Sequence, residues 1–211
     1  MHVSIDELVI ADAAEAWVAA GFTVDDDEVC RVGTVRLRLA GAGHGKGIVS
    51  WSLRDVPAGL TELDGIVTTV SDTPLAEPAQ HANGVTHIDH VVLLSPNLPR
   101  TLAALGDIGL EARRVRDGEL GGAPVRQAFF RLGDVILEVI GAPDSAGEGS
   151  SSLWGLTYTV DDIDAAAVFL GERTGPVKDA VQPGRRITTL RNREIGISVR
   201  TALISPHRRD G

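Results

Sequence analysis

The sequence repeats a strand–helix pattern, and this repeat constrains the fold more than any other feature. The two copies are IDELVIADAAEAWVAAGF at residues 5–22 and IDHVVLLSPNLPRTLAALGDIGL at residues 88–110. Each copy predicts an apolar strand, a short polar break and a helix rich in Ala and Leu that stops at a glycine, Gly21 or Gly106. Such a repeat indicates duplicated supersecondary modules, none of which can close a core alone.

The parallel continues beyond the helices. Residues 30–47 and 130–149 both predict a strand, a glycine turn, a second strand and a Gly-rich linker. A further strand and an acidic break follow each linker, at 48–63 and 153–170, so each half holds two units. The second unit is shortened, because little more than DGIVTTV follows its predicted helix. The segment 113–132 adds a hairpin with Asp-Gly and Gly-Gly turn signals to the second half.

These patterns divide the chain into three parts. Residues 1–72 form a degenerate pair of modules, residues 73–84 a linker, and residues 85–206 a second pair. The joint falls within SDTPLAEPAQHANG, residues 71–84, which is rich in Pro, Ala and polar residues.

Composition excludes several classes of protein. With 211 residues, 43% hydrophobic and 23% charged, the chain is an ordinary globular one. Its formal charge of −9 disfavours a nucleic-acid or anionic-membrane partner. The single Cys30 fits a reducing compartment, where it is a small buried strand residue. Neither a spanning apolar run nor a signal peptide is evident, so we expect a cytoplasmic protein.

Two ionisable residues interrupt apolar strands. His90 lies in THIDHVVLLSPNL, and Glu138 lies in GDVILEVIGAP. Strand alternation puts His90 on the face of Ile88 and Val92, and Glu138 on the face of its own isoleucine neighbours. Because an unpaired buried carboxylate costs several kcal/mol, we expect both groups to face one hydrated cavity.

The residues resemble a known family. A strand reading IDHVVL, a proline shortly after it, a helix, and a closing strand that carries Glu are similar to the vicinal oxygen chelate superfamily. That superfamily includes glyoxalase I, extradiol dioxygenases and the bleomycin- and fosfomycin-resistance proteins. The resemblance is clearest over about residues 85–205 and implies an α+β fold of tandem βαβββ modules with curved, cup-like mixed sheets.

The resemblance also implies a set of metal-ligand positions. His90 matches the first ligand position and Glu138 the closing-strand position of the same module. The next module has Gly155 and Thr201 in the matching columns, and the amino-terminal copy has Glu7 and Arg38. Glycine offers no side-chain ligand and arginine cannot coordinate a cation, so the implied metal site is incomplete.

Three interpretations of His90 and Glu138 stay open. The pair can bind one divalent metal, such as Zn, Mn, Fe or Ni, with Glu138 as the catalytic base. It can instead hold a polar ligand without metal, as a hydrogen-bonded pair. The third interpretation is structural: His90 is a satisfied strand histidine and Glu138 lies at an exposed edge.

The few aromatic residues supply candidate ligand contacts. Trp51, Trp154 and Tyr158 lie on the strands that would line the cups, and one of the adjacent pair Phe129 and Phe130 should face inward. The candidate ligand-binding residues are these aromatic residues and one basic residue, namely Trp154, Tyr158, Phe130, Arg126 and Trp51. Core packing explains each aromatic residue equally well.

The sequence therefore predicts a glyoxalase-like protein, monomeric or homodimeric, with a small organic molecule as its partner. One hypothesis is a metal-assisted lyase, isomerase or dioxygenase, and the other is a binding or sequestering protein without turnover. A phosphate-loop interpretation of GAGHGKG, residues 41–47, fails because the motif needs Gly at position 40 and Ser or Thr at position 47. Arg113, Arg114 and Arg116 are interpreted as a solvated face.

Overall fold

The strands form two curved, unclosed mixed sheets. The computed structural model describes residues 2–207, except for the side chain of Leu120. Within that range the chain contains fourteen strands and three α-helices. The helices have six, ten and eight residues. None of them is long and apolar enough to cross a membrane.

The amino-terminal sheet contains six strands in the order β2-β3-β1-β4-β6-β5. They are β1 (Ser4–Ile10), β2 (Val29–Val32), β3 (Val35–Leu39), β4 (Ile48–Arg54), β5 (Glu62–Leu63) and β6 (Ile66–Val70). Helix α1 (Ala14–Ala19) connects β1 to β2, and Gly21 ends it with a φ of 86°, as predicted.

The carboxy-terminal sheet contains eight strands in the order β12-β13-β14-β11-β7-β10-β9-β8. They are β7 (Val85–Leu94), β8 (Arg114–Leu120), β9 (Ala123–Leu132), β10 (Val135–Gly141), β11 (Ser152–Val160), β12 (Lys178–Asp179), β13 (Arg186–Thr189) and β14 (Arg200–Ile204). Helices α2 (Leu98–Asp107) and α3 (Ile163–Leu170) follow β7 and β11. The sequence predicts that helix α2 ends at Gly106, but the helix continues to Asp107. The first glycine with a left-handed φ after it is Gly109.

The pairing of the strands confirms the α+β fold with tandem modules. In each half the first strand pairs in parallel with the closing strand of its own module, β1 with β3 and β7 with β10. It also pairs antiparallel with the first strand of the next module, β4 or β11. Each half is therefore a pair of modules joined along their first strands.

The prediction of a helix within residues 48–63 is wrong. Strand β4 is followed by a short turn and then by β5. Asp55 has a left-handed φ of 57° and Gly59 a φ of 83°, and Pro57 between them lacks an amide hydrogen. The turn residues therefore interrupt any helix before a first turn can form.

The core lies between the two sheets. Helix α2 contacts β5 of one sheet and β10 of the other. Phe22 contacts Trp17 of α1, with ring centroids 4.9 Å apart, and Tyr158 of β11, with centroids 5.4 Å apart. Cys30 is buried on β2, as predicted. Each sheet thus has one face on the shared core and one outer face turned away from it.

The division at the linker stays a prediction. Strand β6 ends at Val70 and β7 begins at Val85, and residues 71–84 contain neither helix nor strand.

Candidate functional site

His90 and Glu138 lie side by side on the outer face of the carboxy-terminal sheet. In the parallel pair β7 and β10, Ile136 is opposite His90, and Glu138 is opposite Val92. The His90 Nε2 and Glu138 Oε2 atoms are 3.7 Å apart, and both side chains are 13% exposed. Sequence reasoning therefore selected two groups that the fold brings together.

A β-bulge at Asp89 sets the direction of His90. Thr157 of β11 is opposite His90, but the next residue, Tyr158, is opposite Ile88, so Asp89 is the extra residue. Ile88 and Tyr158 are buried in the core, whereas His90 is only partly buried on the other face. The expectation that His90 shares a face with Ile88 is wrong, because simple alternation does not hold across a bulge.

Asp89 fixes the orientation of the His90 imidazole. Its Oδ1 accepts from His90 Nδ1 at 2.8 Å, and its Oδ2 accepts from the nearly inaccessible Arg185 Nη2 at 2.5 Å. Burial alone would raise the pKa of Asp89, but the hydrogen bonds from His90 and Arg185 outweigh it and hold this pKa well below its usual range. An ionised carboxylate only accepts hydrogen bonds, so Nδ1 carries the proton and Nε2 faces Glu138.

Glu138 is oriented from the opposite side by a chain of polar groups. Gln127 Nε2 of β9 donates to Glu138 Oε1, and Arg116 Nε of β8 donates to Gln127 Oε1 at 2.8 Å. The second carboxylate oxygen, Oε2, is the one that faces His90. Both members of the pair are thus held by partners that leave one atom of each pointing at the other.

The second module of this half contributes no equivalent groups. Strands β7 and β11 pair about Val91 and Leu156, so a local twofold axis exchanges His90 with Gly155. The same axis exchanges Glu138 with Ala202, because Ala202 is opposite Thr157 just as Glu138 is opposite Val92. The assignment of Thr201 to this column is wrong by one residue. Thr201 is opposite Leu156 and is buried in the core.

The amino-terminal half repeats the geometry with different chemistry. Glu7 and Arg38 hold the columns of His90 and Glu138, and Arg38 Nε donates to Glu7 Oε2 at 3.0 Å. The bulge recurs as well, since Asp6 is the extra residue between Ile5 and Glu7 in the pairing with β4. Asp6 is buried and forms ion pairs with Arg36 and Arg54. In this half the two positions are therefore occupied by an ion pair between Glu7 and Arg38, and neither side chain is left as an unpaired polar group.

The aromatic candidates lie in different environments. Trp154 is 47% exposed beside the outer face, with the Arg200 guanidinium 5.7 Å from its ring centroid. Phe130, Tyr158 and Trp51 are buried in the core, away from His90. Phe129 is the member of its pair on the face of Glu138, which it opposes across β9 and β10.

Arg126 also lies away from the pair. It is opposite Asp117 in the β8–β9 hairpin and forms an exposed ion pair with it, with Nε and Oδ1 2.6 Å apart. Its neighbour Gln127 points to the other face of the hairpin and contacts Glu138 instead.

Sequence reasoning missed three contributors: Asp89, Arg185 and Arg116. A signal existed for Asp89, because the repeat places Asp6 and Asp89 at the same position of IDE and IDH. Arg185 precedes β13 and is distant in sequence from β7, so no local pattern marks it. Arg116 was interpreted as solvated, but its side chain is half-buried against Gln127.

The donor set fits half of a four-ligand metal centre. Bonds from zinc to nitrogen and oxygen are about 2.0–2.2 Å, so one cation can touch both atoms of a pair separated by 3.7 Å. Within residues 2–207, however, no cluster of three or more His, Cys, Asp or Glu residues could hold a metal ion. The side chains present do not fit a resident cofactor with a complete protein coordination sphere.

A cavity of about 520 Å³ lies between the two halves, below the ends of β7 and β10. Its wall includes Gly33 from the amino-terminal part, Pro78 from the linker, and His87, Asp89 and Ile136 from the carboxy-terminal part. Asp89 thus lies between this cavity and the imidazole of His90.

Comparisons with known proteins identify the fold. No protein-family model matches the sequence, and no curated protein matches it. Among solved structures, a triple mutant of 4-hydroxymandelate synthase from Streptomyces coelicolor superposes with a TM-score of 0.67 and 16% identity, over 100% of this chain and 94% of that one. A catechol 2,3-dioxygenase gives a TM-score of 0.63 and 12% identity, over 97% of this chain and 87% of that one.

A third match is homoprotocatechuate 2,3-dioxygenase from Arthrobacter globiformis, with a TM-score of 0.59 and 13% identity, over 98% of this chain and 80% of that one. These structures are members of the vicinal oxygen chelate superfamily. The chain therefore has the vicinal oxygen chelate fold, as the resemblance implied. Identities this low establish the fold and leave the chemistry to be argued from the site.

Proposed function

We propose that this protein binds a small organic molecule on the outer face of the carboxy-terminal sheet, with the polar end of the ligand at His90 and Glu138. The observation that carries the proposal is the 3.7 Å gap between His90 Nε2 and Glu138 Oε2. The gap is too long for a hydrogen bond between the two atoms. A ligand hydroxyl beside both atoms could donate to Glu138 Oε2 and, when Nε2 carries a proton in addition to Nδ1, accept from the imidazole.

The surrounding contacts support this role. Asp89 fixes the imidazole, and Gln127 fixes the carboxylate, so little side-chain freedom remains to be lost on binding. Val92 and Phe129 lie beside Glu138 on the same face, and the partly exposed Phe129 offers apolar area to an organic ring. Gly155 and Ala202 carry no metal-ligating atoms, which favours binding without a resident metal.

A second candidate function is metal-assisted chemistry with an incomplete protein site, as in a lyase, isomerase or dioxygenase. The backing of His90 Nδ1 by Asp89 favours it, because metal-ligating histidines almost always donate their other nitrogen to such a partner. A bound divalent cation would supply Lewis acidity, and Glu138 is the group that could hold or move a proton.

The proposal is tested with 2-naphthol, a neutral aromatic hydroxyl compound. Binding is followed by the quenching of tryptophan fluorescence. Trp154 should give the response, because it is exposed whereas Trp17 and Trp51 are buried. We expect His90→Ala and Glu138→Gln each to weaken binding about tenfold, the value of one hydrogen bond to a charged group. His87→Ala, an exposed histidine on the same strand, is the matched control. Equal affinity in all four proteins would contradict the proposal.

Metal analysis separates the two candidates. Emission spectroscopy on protein purified without chelators should find less than one divalent cation per chain if the ligand binds directly. Stoichiometric metal that is lost in both His90→Ala and Glu138→Ala would instead establish the metal-assisted candidate.

A further inference from the structure

We propose that the ligand of the outer face is an aromatic carboxylate, held at its anionic end by Arg200 beside Trp154. This inference rests on the proposed function, because it places the other end of the same ligand at His90 and Glu138.

The geometry begins with one row of residues across the outer face. The row passes through the centre of both modules and contains Arg114, Phe129, Glu138, Val92, Gly155 and Arg200. Because neighbouring strands are about 4.8 Å apart, Arg200 lies two strands, or about 10 Å, from the strand of His90. That span suits a ligand with a small aromatic body and a polar group at each end.

Gly155 lies in this row between Val92 and Arg200 and carries no side chain. A Cβ built on Gly155 would lie 3.1 Å from Arg200 Cβ, so Arg200 packs closely against this glycine. The Trp154 ring lies against the Arg200 guanidinium at 5.7 Å, which orients the cation and adds an aromatic wall. The row itself therefore has no side chain between Val92 and Arg200.

Within residues 2–207, Arg200 forms no ion pair with a carboxylate; its guanidinium lies over the Trp154 ring. Most arginines elsewhere in the described chain pair with carboxylates, namely Arg31, Arg36, Arg38, Arg54, Arg100, Arg126, Arg185 and Arg186. On the outer face, Arg200 pairs with Trp154, Arg114 with Phe129 and Arg116 with Gln127, and within residues 2–207 none of the three forms an ion pair.

This distribution is informative because the protein is acidic. A chain with a formal charge of −9 has many carboxylates available to pair with these arginines. The strands of the outer face nevertheless present aromatic rings and an amide to them, and Glu138 is the carboxylate in the same row. Arginine without a carboxylate partner can form a bidentate pair with a ligand carboxylate.

The test compares 6-hydroxy-2-naphthoate with 6-hydroxy-2-naphthamide, which differ mainly in the charge of one end. Calorimetric affinities are measured for the unmodified protein, Arg200→Gln, Arg200→Lys and the control Arg193→Gln, which removes an exposed arginine outside the sheets. We expect the naphthoate to bind about tenfold more tightly than the naphthamide. The preference should vanish in Arg200→Gln, survive in part in Arg200→Lys, and persist in Arg193→Gln.

Two further variants separate this inference from the proposed function. If the anion site and the proposed function are both correct, His90→Ala and Glu138→Gln weaken the binding of the two compounds equally. The ratio of the two affinities then stays unchanged. A ratio near one in the unmodified protein, with binding still weakened by His90→Ala, would overturn the anion site and leave the proposed function standing. A preference that requires Arg200 but ignores His90 and Glu138 would support the anion site and overturn the proposed function. No saturable binding of either compound at millimolar concentration would also overturn the anion site.

Discussion

At the residue scale, Asp89 is the side chain on which the site depends. It is buried, it accepts from His90 and Arg185, and it occupies the bulge that separates the core face from the outer face. The same position in the amino-terminal half holds Asp6, which is also buried and paired with arginine. A buried aspartate at the bulge is thus a structural feature of both module pairs.

Replacing Asp89 by Asn should leave the buried Arg185 without its counter-charge. We expect a loss of about 3–5 kcal/mol in the free energy of unfolding, as when one partner of a buried pair is removed. Urea denaturation measures it. Asp134→Asn, at an exposed carboxylate 3.9 Å from Arg131, is the control and should change stability little. Equal losses in the two variants would contradict the role of Asp89.

The lowered pKa of Asp89 also predicts a response to acid. In the unfolded chain this carboxyl titrates near its ordinary value of 3.8, whereas in the folded protein it stays ionised to lower pH. Its contribution to stability is therefore complete above about pH 4 and is lost as the pH falls below that value. Between pH 5 and 3, stability should fall less steeply in Asp89→Asn than in the unmodified protein. Parallel pH profiles of stability in the two proteins would contradict this contribution of the Asp89 carboxylate.

At the element scale, local patterns sufficed for most of the fold. The sequence predicts the apolar strand β7 and the helix after it, and also the Gly121–Gly122 hairpin turn between β8 and β9. The expectation that His90 and Glu138 face one site came from the cost of burying an unpaired carboxylate. Alternation placed each residue only relative to its own strand neighbours. Alternation could not show the bulge at Asp89, because bulges depend on the pairing of two distant strands. It likewise missed Arg185, whose partner is 96 residues away.

The absence of a metal-ligating side chain at position 155 has a structural reason. A Cβ built there would lie 2.8 Å from the carbonyl oxygen of Arg200, so β11 and β14 approach too closely for a side chain. We expect Gly155→Ala to lower the free energy of unfolding by about 1–3 kcal/mol. Gly118→Ala on β8, where nothing lies within 4 Å of the added atom, is the control. No difference between the two in urea denaturation would show that the strands can separate without cost.

At the scale of the whole molecule, the two halves share one core. Phe22 of the first half contacts Tyr158 of the second, and the core residues of both sheets form a single cluster. Asp64 adds polar contacts between the halves, since it accepts from Ser151 Oγ at 2.5 Å and forms an ion pair with Arg100. Neither half could bury its apolar face alone.

The shared core predicts that the halves unfold together. Differential scanning calorimetry should show one transition whose calorimetric and van't Hoff enthalpies agree. Phe22→Ala should lower the midpoint without splitting the transition. Two resolved transitions, or an isolated fragment of residues 85–207 as stable as the full chain, would show that the linker separates independent domains.

The central claim is that a ligand binds in contact with the imidazole of His90. The most direct measurement is the nitrogen NMR spectrum of the histidine side chains, with the His90 signals assigned by their absence in His90→Ala. We predict a proton on Nδ1 of His90 and a shift of Nε2 that saturates with 6-hydroxy-2-naphthoate at the dissociation constant found by calorimetry. Saturated binding with unmoved His90 signals would contradict the claim.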